Sequence, residues 1–114
     1  MARVAAFIPD LLFGSNVLGS LQVAGHEAVL VSDMEVLDPA LVDVLVIDLT
    51  ADAEDRLAAV QAASLDGIKT LAFYSHVETE VRALAEQAGL DLIVPRSRMA
   101  REGGVMVGRL AGSE

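Results

Sequence analysis

Four side chains that could bind a metal ion or an anion lie at or just after the ends of apolar runs in this sequence: Asp10, Asp48, Ser75 and Arg96. Asp48 is the only charge in the apolar run 44–49, and burying an unpaired carboxylate costs several kcal/mol. Such an acid usually lies at the carboxyl end of a strand, where a parallel sheet opens its crevice. Two neighbouring carboxylates, Asp10 and Asp48, are suitable ligands for Mg²⁺. A hydroxyl beside a guanidinium, as in Ser75 and Arg96, is suited to binding an anion.

Strand-like apolar runs alternate with amphipathic stretches along the chain, and these groups follow the strand-like runs. The predicted strands are Val4–Ile8, Ala28–Val31, Val44–Leu49, Thr70–Tyr74 and Leu92–Val94. The first helix is predicted to end at Gly25-His26. The connection between the second and third strands has room for only a short helix. Two further helices are predicted to begin after Asp52 and after Ser75. The last runs from Ser97 to about Leu110, and the pair Gly103-Gly104 predicts a break or fraying in its middle.

Strands that alternate with helices of this length predict βαβ units with right-handed crossovers. We therefore expect a three-layer α/β fold, a doubly wound, flavodoxin-like sandwich with five parallel strands in the order 2-1-3-4-5. The whole chain, residues 1–114, is predicted to form a single domain. In that strand order the first and third strands are neighbours at the switch point. The ends of four strands, with their polar groups, therefore converge there.

Composition excludes several classes of function. The net charge of -9 disfavours nucleic acid and anionic membranes as partners. The absence of cysteine excludes disulfides and thiolate catalysis. No nucleophile–base pair, cofactor motif or run of about 18 apolar residues occurs, so we expect a non-enzymatic, soluble, cytoplasmic protein.

The chain resembles the receiver domains of two-component response regulators, which are bacterial signalling proteins, over nearly its whole length. The resemblance rests on the order of the elements and on three positions. Asp48, in Val-Ile-Asp-Leu, falls where the family has its phospho-accepting aspartate. Ser75 falls where the family has the hydroxyl that contacts the phosphoryl group. Asp10 matches one member of the acidic pair that holds Mg²⁺, so the resemblance implies a metal site at Asp10 and Asp48.

Other positions depart from the family pattern. Pro9 stands where the second metal-binding acid is expected, and a proline cannot ligate a metal. The lysine that precedes a proline after the fifth strand is missing, because this chain has Val94-Pro95-Arg96. His76 follows the switch hydroxyl where a small residue is usual. The chain is therefore similar to a degenerate, pseudo-receiver type, in which phosphorylation is weakened or lost.

Each site residue also has a purely structural interpretation. Asp48 could cap turn amides, and Asp10 could be the N-cap of the first helix. Ser75 and Glu78 have the spacing of a capping box. His26, in a predicted turn, is expected to be a solvated surface residue, and His76 to be partly exposed.

The leading functional hypothesis is a stand-alone receiver-like signalling domain that acts through protein–protein contacts, with a histidine kinase or a downstream effector as partner. The alternative is a small module that binds an anion or phosphate ligand near Ser75 and Arg96. In a third hypothesis, a scaffolding domain forms a homodimer through its terminal helix.

Overall fold

A computed structural model describes residues 2–63, 65–75 and 78–112 of the chain. The expectation for His76 lies outside these residues. Five strands and four α-helices alternate along the chain, with two 3-10 turns between the second and third strands. In chain order they are β1 (Arg3–Phe7), α1 (Leu11–Val23), β2 (Glu27–Val31), the turns Met34–Val36 and Pro39–Leu41, β3 (Val44–Asp48), α2 (Ala53–Ala62), β4 (Lys69–Tyr74), α3 (Thr79–Gln87), β5 (Leu92–Pro95) and α4 (Arg96–Gly112).

The strands form one parallel sheet in the order β2-β1-β3-β4-β5. This order and the fold class confirm the prediction, and every predicted strand occurs with its ends within one residue. All five residues of β3 are buried. A central parallel strand is covered on both faces, which is why its sequence is continuously apolar up to Asp48.

Alternation along the strands divides the interior into two cores. Val4, Val44 and Val46 point to the face that is covered by α1 and α4. Leu45 and Ile47 point to the opposite face, which is covered by α2, α3 and the two turns. The sheet is therefore the middle of three layers, as predicted.

The expectation that α4 is broken at its glycines was wrong, because α4 is continuous from Arg96 to Gly112. Gly104 makes close packing against α1 possible instead. A Cβ on Gly104 would lie 2.5 Å from the Cβ of Ala24 at the end of α1, and one on Gly103 would lie 2.8 Å from Cε of Met99. The lost helix propensity is the cost of bringing α4 against α1.

The expectation that His26 is a solvated surface residue was also wrong, because the residue is only 9% exposed. Its Nδ1 accepts a hydrogen bond from the backbone N–H of Ala2 at 3.1 Å. Its Nε2 lies 2.9 Å from the carbonyl oxygen of Gly104 and therefore carries the proton that it donates there. The imidazole therefore links the residue before β1 to the middle of α4. These two long-range hydrogen bonds hold the ring in the interior, although residues in turns are usually exposed.

An ion pair joins β1 to the residue before β3. The guanidinium of Arg3 lies 3.1 Å from the carboxylate of Asp43, which also accepts the backbone N–H of Arg3 at 2.8 Å. The hydrogen bonds from the Arg3 side chain and backbone hold the pKa of Asp43 below its usual value. Among the described residues, no helix is long and apolar enough to cross a membrane.

Candidate functional site at the carboxyl edge of the sheet

The predicted site residues follow the carboxyl ends of four neighbouring strands. Asp48, the last residue of β3, lies opposite Phe73 in β4, and Tyr74 at the end of β4 lies opposite Pro95 in β5. Asp10 stands just before α1, three residues after the end of β1. Parallel strands therefore bring the four positions to one edge of the sheet, as the sequence predicts.

The Asp48 carboxylate is buried, with 2% of the residue exposed, and both of its oxygens have partners. Oδ1 accepts hydrogen bonds from the backbone N–H of Thr50 at 2.8 Å and from its hydroxyl at 2.6 Å. Oδ2 lies 3.3 Å from the guanidinium of Arg56. We call these three residues, Asp48, Thr50 and Arg56, the Asp48 cluster.

Arg56 reaches the cluster from the first turns of α2. Its guanidinium also donates to the backbone carbonyl of Asp48 at 2.9 Å, so one side chain binds the carboxylate and the main chain of the same residue. The Arg56 side chain is 13% exposed. Asp52, the N-cap residue of α2, has a left-handed backbone with φ of 50° and lies 4.0 Å from the guanidinium. Charge on Asp48 is thus compensated from within the chain.

Asp10 has a different role from Asp48. It is exposed, and its Oδ1 accepts the backbone N–H groups of Leu12 at 3.0 Å and Phe13 at 3.1 Å. Asp10 is therefore the N-cap of α1, in agreement with the structural interpretation of its sequence. No cluster of three or more His, Cys, Asp or Glu side chains suitable for a metal ion occurs within residues 2–63, 65–75 and 78–112.

Ser75 and Arg96 do lie together, since both line one shallow groove with Phe13, Ser97 and Ala100. The groove has a volume of about 400 Å³. The Arg96 guanidinium stacks over the Phe13 ring, 4.1 Å from its centroid, in cation–π geometry. The Phe13 ring in turn lies 5.2 Å from that of Phe73, so the aromatic pair supports Arg96 from beneath.

The expected capping box of Ser75 and Glu78 does not form. Glu78 itself occupies the N-cap position of α3 without a side-chain capping bond, and α3 begins at Thr79. Ser75 contributes its backbone carbonyl, which accepts the N–H of Glu78 at 2.8 Å. The helix begins later than the spacing predicts, which leaves Ser75 at the strand end rather than in the helix.

Sequence reasoning missed Thr50, Arg56 and Phe13. A faint signal existed for Arg56, because it is the only Lys or Arg between Arg3 and Lys69 and it follows Asp48 into the next helix. Thr50 had the i, i+2 spacing of a side chain that closes a turn on an aspartate. Nothing in the sequence indicated that Phe13 would lie beneath Arg96, because that contact joins α1 to α4.

Comparison with known proteins places the fold. No protein-family model matches the sequence, and no curated protein matches it significantly. A response regulator receiver domain protein from Clostridium thermocellum superposes with a TM-score of 0.79 at 13% identity, covering 99% of this chain and 96% of that one. A response regulator receiver protein from Burkholderia phymatum has a TM-score of 0.80 at 17% identity, with 98% and 96% covered.

A putative pilus assembly-related protein from Burkholderia pseudomallei is equally similar, with a TM-score of 0.79 at 18% identity, covering 98% of this chain and 90% of that one. At these identities the likeness concerns the fold. The chain therefore has the receiver fold over nearly its whole length, as the sequence resemblance implies.

Proposed function

We propose that this chain is a receiver-like signalling domain of the pseudo-receiver type, which acts through contacts with a protein effector and without phosphorylation of Asp48. The receiver fold supports the signalling role. The observation that carries the proposal is the Asp48 cluster, in which the carboxylate is buried and both oxygens are bound by Thr50 and Arg56.

Phosphoryl transfer to an aspartate needs an oxygen that can approach phosphorus nearly in line with the leaving group. In this chain Oδ2 faces the Arg56 guanidinium and Oδ1 faces the Thr50 hydroxyl. An incoming phosphodonor would have to displace one of these groups from a site that is almost closed to solvent. Breaking the pair would leave a buried charge without its partner, which is costly.

The residues at the site also fit Mg²⁺ poorly. Mg²⁺ binds carboxylate oxygens and keeps several waters in an octahedral shell. Asp10 caps α1, and Asp48 is already neutralised by a cation from α2. Pro9 contributes no ligand. We therefore assign no step to a metal and regard Arg56 as the permanent counter-ion of Asp48.

Incubation with acetyl phosphate and Mg²⁺, followed by intact-mass measurement, tests this proposal. We expect no gain of a phosphoryl group by the wild-type chain, and the same result for Asp48→Asn. A receiver domain whose acceptor aspartate is accessible to phosphodonors is treated in parallel, and its phosphorylation shows that the reagent is active. A wild-type adduct that disappears in Asp48→Asn would show that Asp48 is still a phospho-acceptor.

A second candidate function is anion binding in the groove formed by Phe13, Ser75, Arg96, Ser97 and Ala100. The observation that favours it is that Ser75 and Arg96 line the same groove, with the guanidinium carbon 4.1 Å from the centroid of the Phe13 ring. A ligand that binds only the native state must raise the melting temperature.

Inorganic phosphate and a phosphorylated sugar are suitable probes for a thermal-shift measurement. The candidate requires a rise that is lost in Arg96→Gln and retained in the matched variant Arg82→Gln, whose side chain is exposed on α3. Equal shifts in both variants would attribute the effect to general screening of charge.

A further inference from the structure

The connection between β2 and β3 leaves part of the sheet without a covering helix. The other three connections between strands carry helices of 13, 10 and 9 residues, whereas this one has only two three-residue turns in the described chain. β2 is the edge strand of the sheet. Between β2 and the turns lies a groove of about 380 Å³, which we call the β2 groove.

The β2 groove is lined mainly by aliphatic side chains that remain accessible. Val29 on β2 is 59% exposed, and in the turns Val36 is 70% and Leu41 is 61% exposed. The remaining aliphatic lining residues are Val4, Val31, Leu37 and Val42. Contiguous apolar surface of this kind, framed by polar residues, marks a site of interaction rather than isolated surface residues.

The charge around the β2 groove is predominantly negative. From residue 27 to residue 43, which covers β2 and the two turns, the sequence contains five acidic residues and no Lys or Arg. Glu27 and Asp38 line the groove, and the exposed Asp33 and Glu35 lie in the same connection, just before the lining residue Val36. Arg3 also lines it, but its guanidinium is engaged by Asp43. The rim therefore presents an excess of carboxylates around an apolar floor.

We infer that the β2 groove binds a basic amphipathic helix of a protein partner. Its apolar face would contact Val29, Val36 and Leu41, and its Lys or Arg residues would meet the acidic rim. The five residues of β2 at about 3.3 Å each span roughly 17 Å, which about eleven residues of helix cover. Such a helix would lie where the connection lacks one of its own.

Charge complementarity distinguishes this occupant from a second copy of the chain. A symmetric contact would place the same carboxylates opposite one another, and like charges that face each other oppose association. The β2 groove shares no lining residue with the Asp48 cluster. The inference therefore goes beyond the proposed function at Asp48, and the phosphorylation experiment can fail without affecting it.

The test uses a synthetic amphipathic helix of about fifteen residues, with Leu on one face and Lys on the other. A control peptide keeps the Leu face and carries Glu in place of Lys. Amide chemical shifts of the ¹⁵N-labelled chain are followed during titration. We expect the Lys peptide to shift the amides of residues 27–31, 36–38 and 40–42, and the Glu peptide to have no effect.

Two matched variants localise the binding. Val29→Lys should weaken it by about tenfold or more, because it places a cation on the apolar floor. Val105→Lys makes the same change at a 58% exposed valine on α4 and should leave binding unchanged. Dispersed amide spectra of both variants establish that they are folded.

Other outcomes overturn the inference. Shifts confined to the acidic N-termini of α2 and α3, near Glu54 and Glu80, would show a purely electrostatic contact elsewhere. An equal loss of affinity in Val29→Lys and Val105→Lys would show binding without a defined site. Absence of any shift in residues 27–42, or self-association that Val29→Lys abolishes, would also contradict it.

Discussion

At the scale of single residues, the decisive contact joins Arg56 to Asp48. Arg56 binds the carboxylate and the backbone carbonyl of Asp48, while Thr50 holds the other carboxylate oxygen. Removal of one partner from a buried ion pair costs more than the pair itself contributes, because the remaining charge stays desolvated. The stability of the domain should therefore depend on Arg56 far more than on a surface arginine.

Replacement of Arg56 by methionine tests this dependence, since methionine keeps the aliphatic stem and removes the charge. We expect Arg56→Met to lower the free energy of unfolding by about 3 kcal/mol, measured by urea denaturation. The matched variant is Arg82→Met, whose pair with Glu86 is more than half exposed and spans 3.7 Å. That change should cost below about 0.5 kcal/mol, and equal losses would mean that Arg56 acts only by packing.

His26 is a second residue whose role depends on its contacts. Its replacement by phenylalanine keeps a planar ring but removes the acceptor for the Ala2 N–H and the donor to Gly104. A buried N–H without a partner costs about 1–3 kcal/mol. We expect His26→Phe to lower the free energy of unfolding by that amount, and faster hydrogen exchange at the Ala2 amide to accompany it. An unchanged stability would show that water replaces both bonds.

At the scale of elements, the packing of α4 on α1 depends on glycine in α4 but not on glycine in α1. A Cβ on Gly104 would meet Ala24 at 2.5 Å, whereas a Cβ on Gly19 has no neighbour within 4 Å. Both residues lie in helices, where glycine is less favourable than alanine. The same substitution should therefore have opposite effects at the two positions.

We expect Gly104→Ala to destabilise the domain by about 1–3 kcal/mol, because the two helices must move apart. Gly19→Ala should stabilise it by about 0.5–1 kcal/mol through helix propensity. Thermal unfolding of the two variants measures both signs in one experiment. Stabilisation by Gly104→Ala would mean that the α1–α4 contact is looser than the structure shows.

The elements also show how far the sequence alone could lead. Strands were predictable because each is a short apolar run between helices, and their alternation restricts the topology to a few arrangements. The continuity of α4 was not predictable, because local propensity weighs against Gly103-Gly104 and only the packing of Gly104 against α1 accounts for a glycine there.

The candidate site was predictable in its position but not in its contacts. The order of the strands brought Asp48, Ser75 and Arg96 to one edge of the sheet. The partners of these residues come from other elements, as Arg56 comes from α2 and Phe13 from α1. Such contacts depend on how the helices pack against the sheet. The spacing of residues along the chain does not predict that packing.

At the scale of the whole molecule, the acidic character of the chain is unevenly distributed. Ten of its acids and none of its Lys or Arg residues lie between positions 4 and 55, whereas four arginines lie at or beyond position 96. The segment up to residue 55 is therefore the acidic half of the chain. Within the acidic half, Asp43 is one of the carboxylates whose charge is compensated by an arginine.

The stability of the fold should respond to acid through Asp43. Its pKa is lowered in the folded state by the Arg3 side chain and backbone, so it stabilises the fold above the usual aspartate pKa of about 3.9. That contribution is lost as the pH falls through the lowered pKa. We expect the wild-type chain to be more stable than Asp43→Asn at neutral pH, and the difference to shrink as the pH falls below the usual aspartate pKa.

Urea denaturation of both proteins across this range measures the difference. Lys69→Gln, which removes an exposed charge from β4, is the control for general charge effects and should give a nearly constant difference. A difference for Asp43→Asn that grows on acidification would reverse the assigned direction of the pKa.

The arginine that α2 supplies to Asp48 also bears on how such a protein could carry information. A covalent mark lets a cell change the output of molecules that already exist, within seconds and without new synthesis. On the proposed function, a chain whose acceptor is closed by its own side chain lacks that means. The strength of its signal is then set by the number of copies of this protein and by the number of effectors that compete for them. Its activity is therefore controlled through its synthesis and degradation.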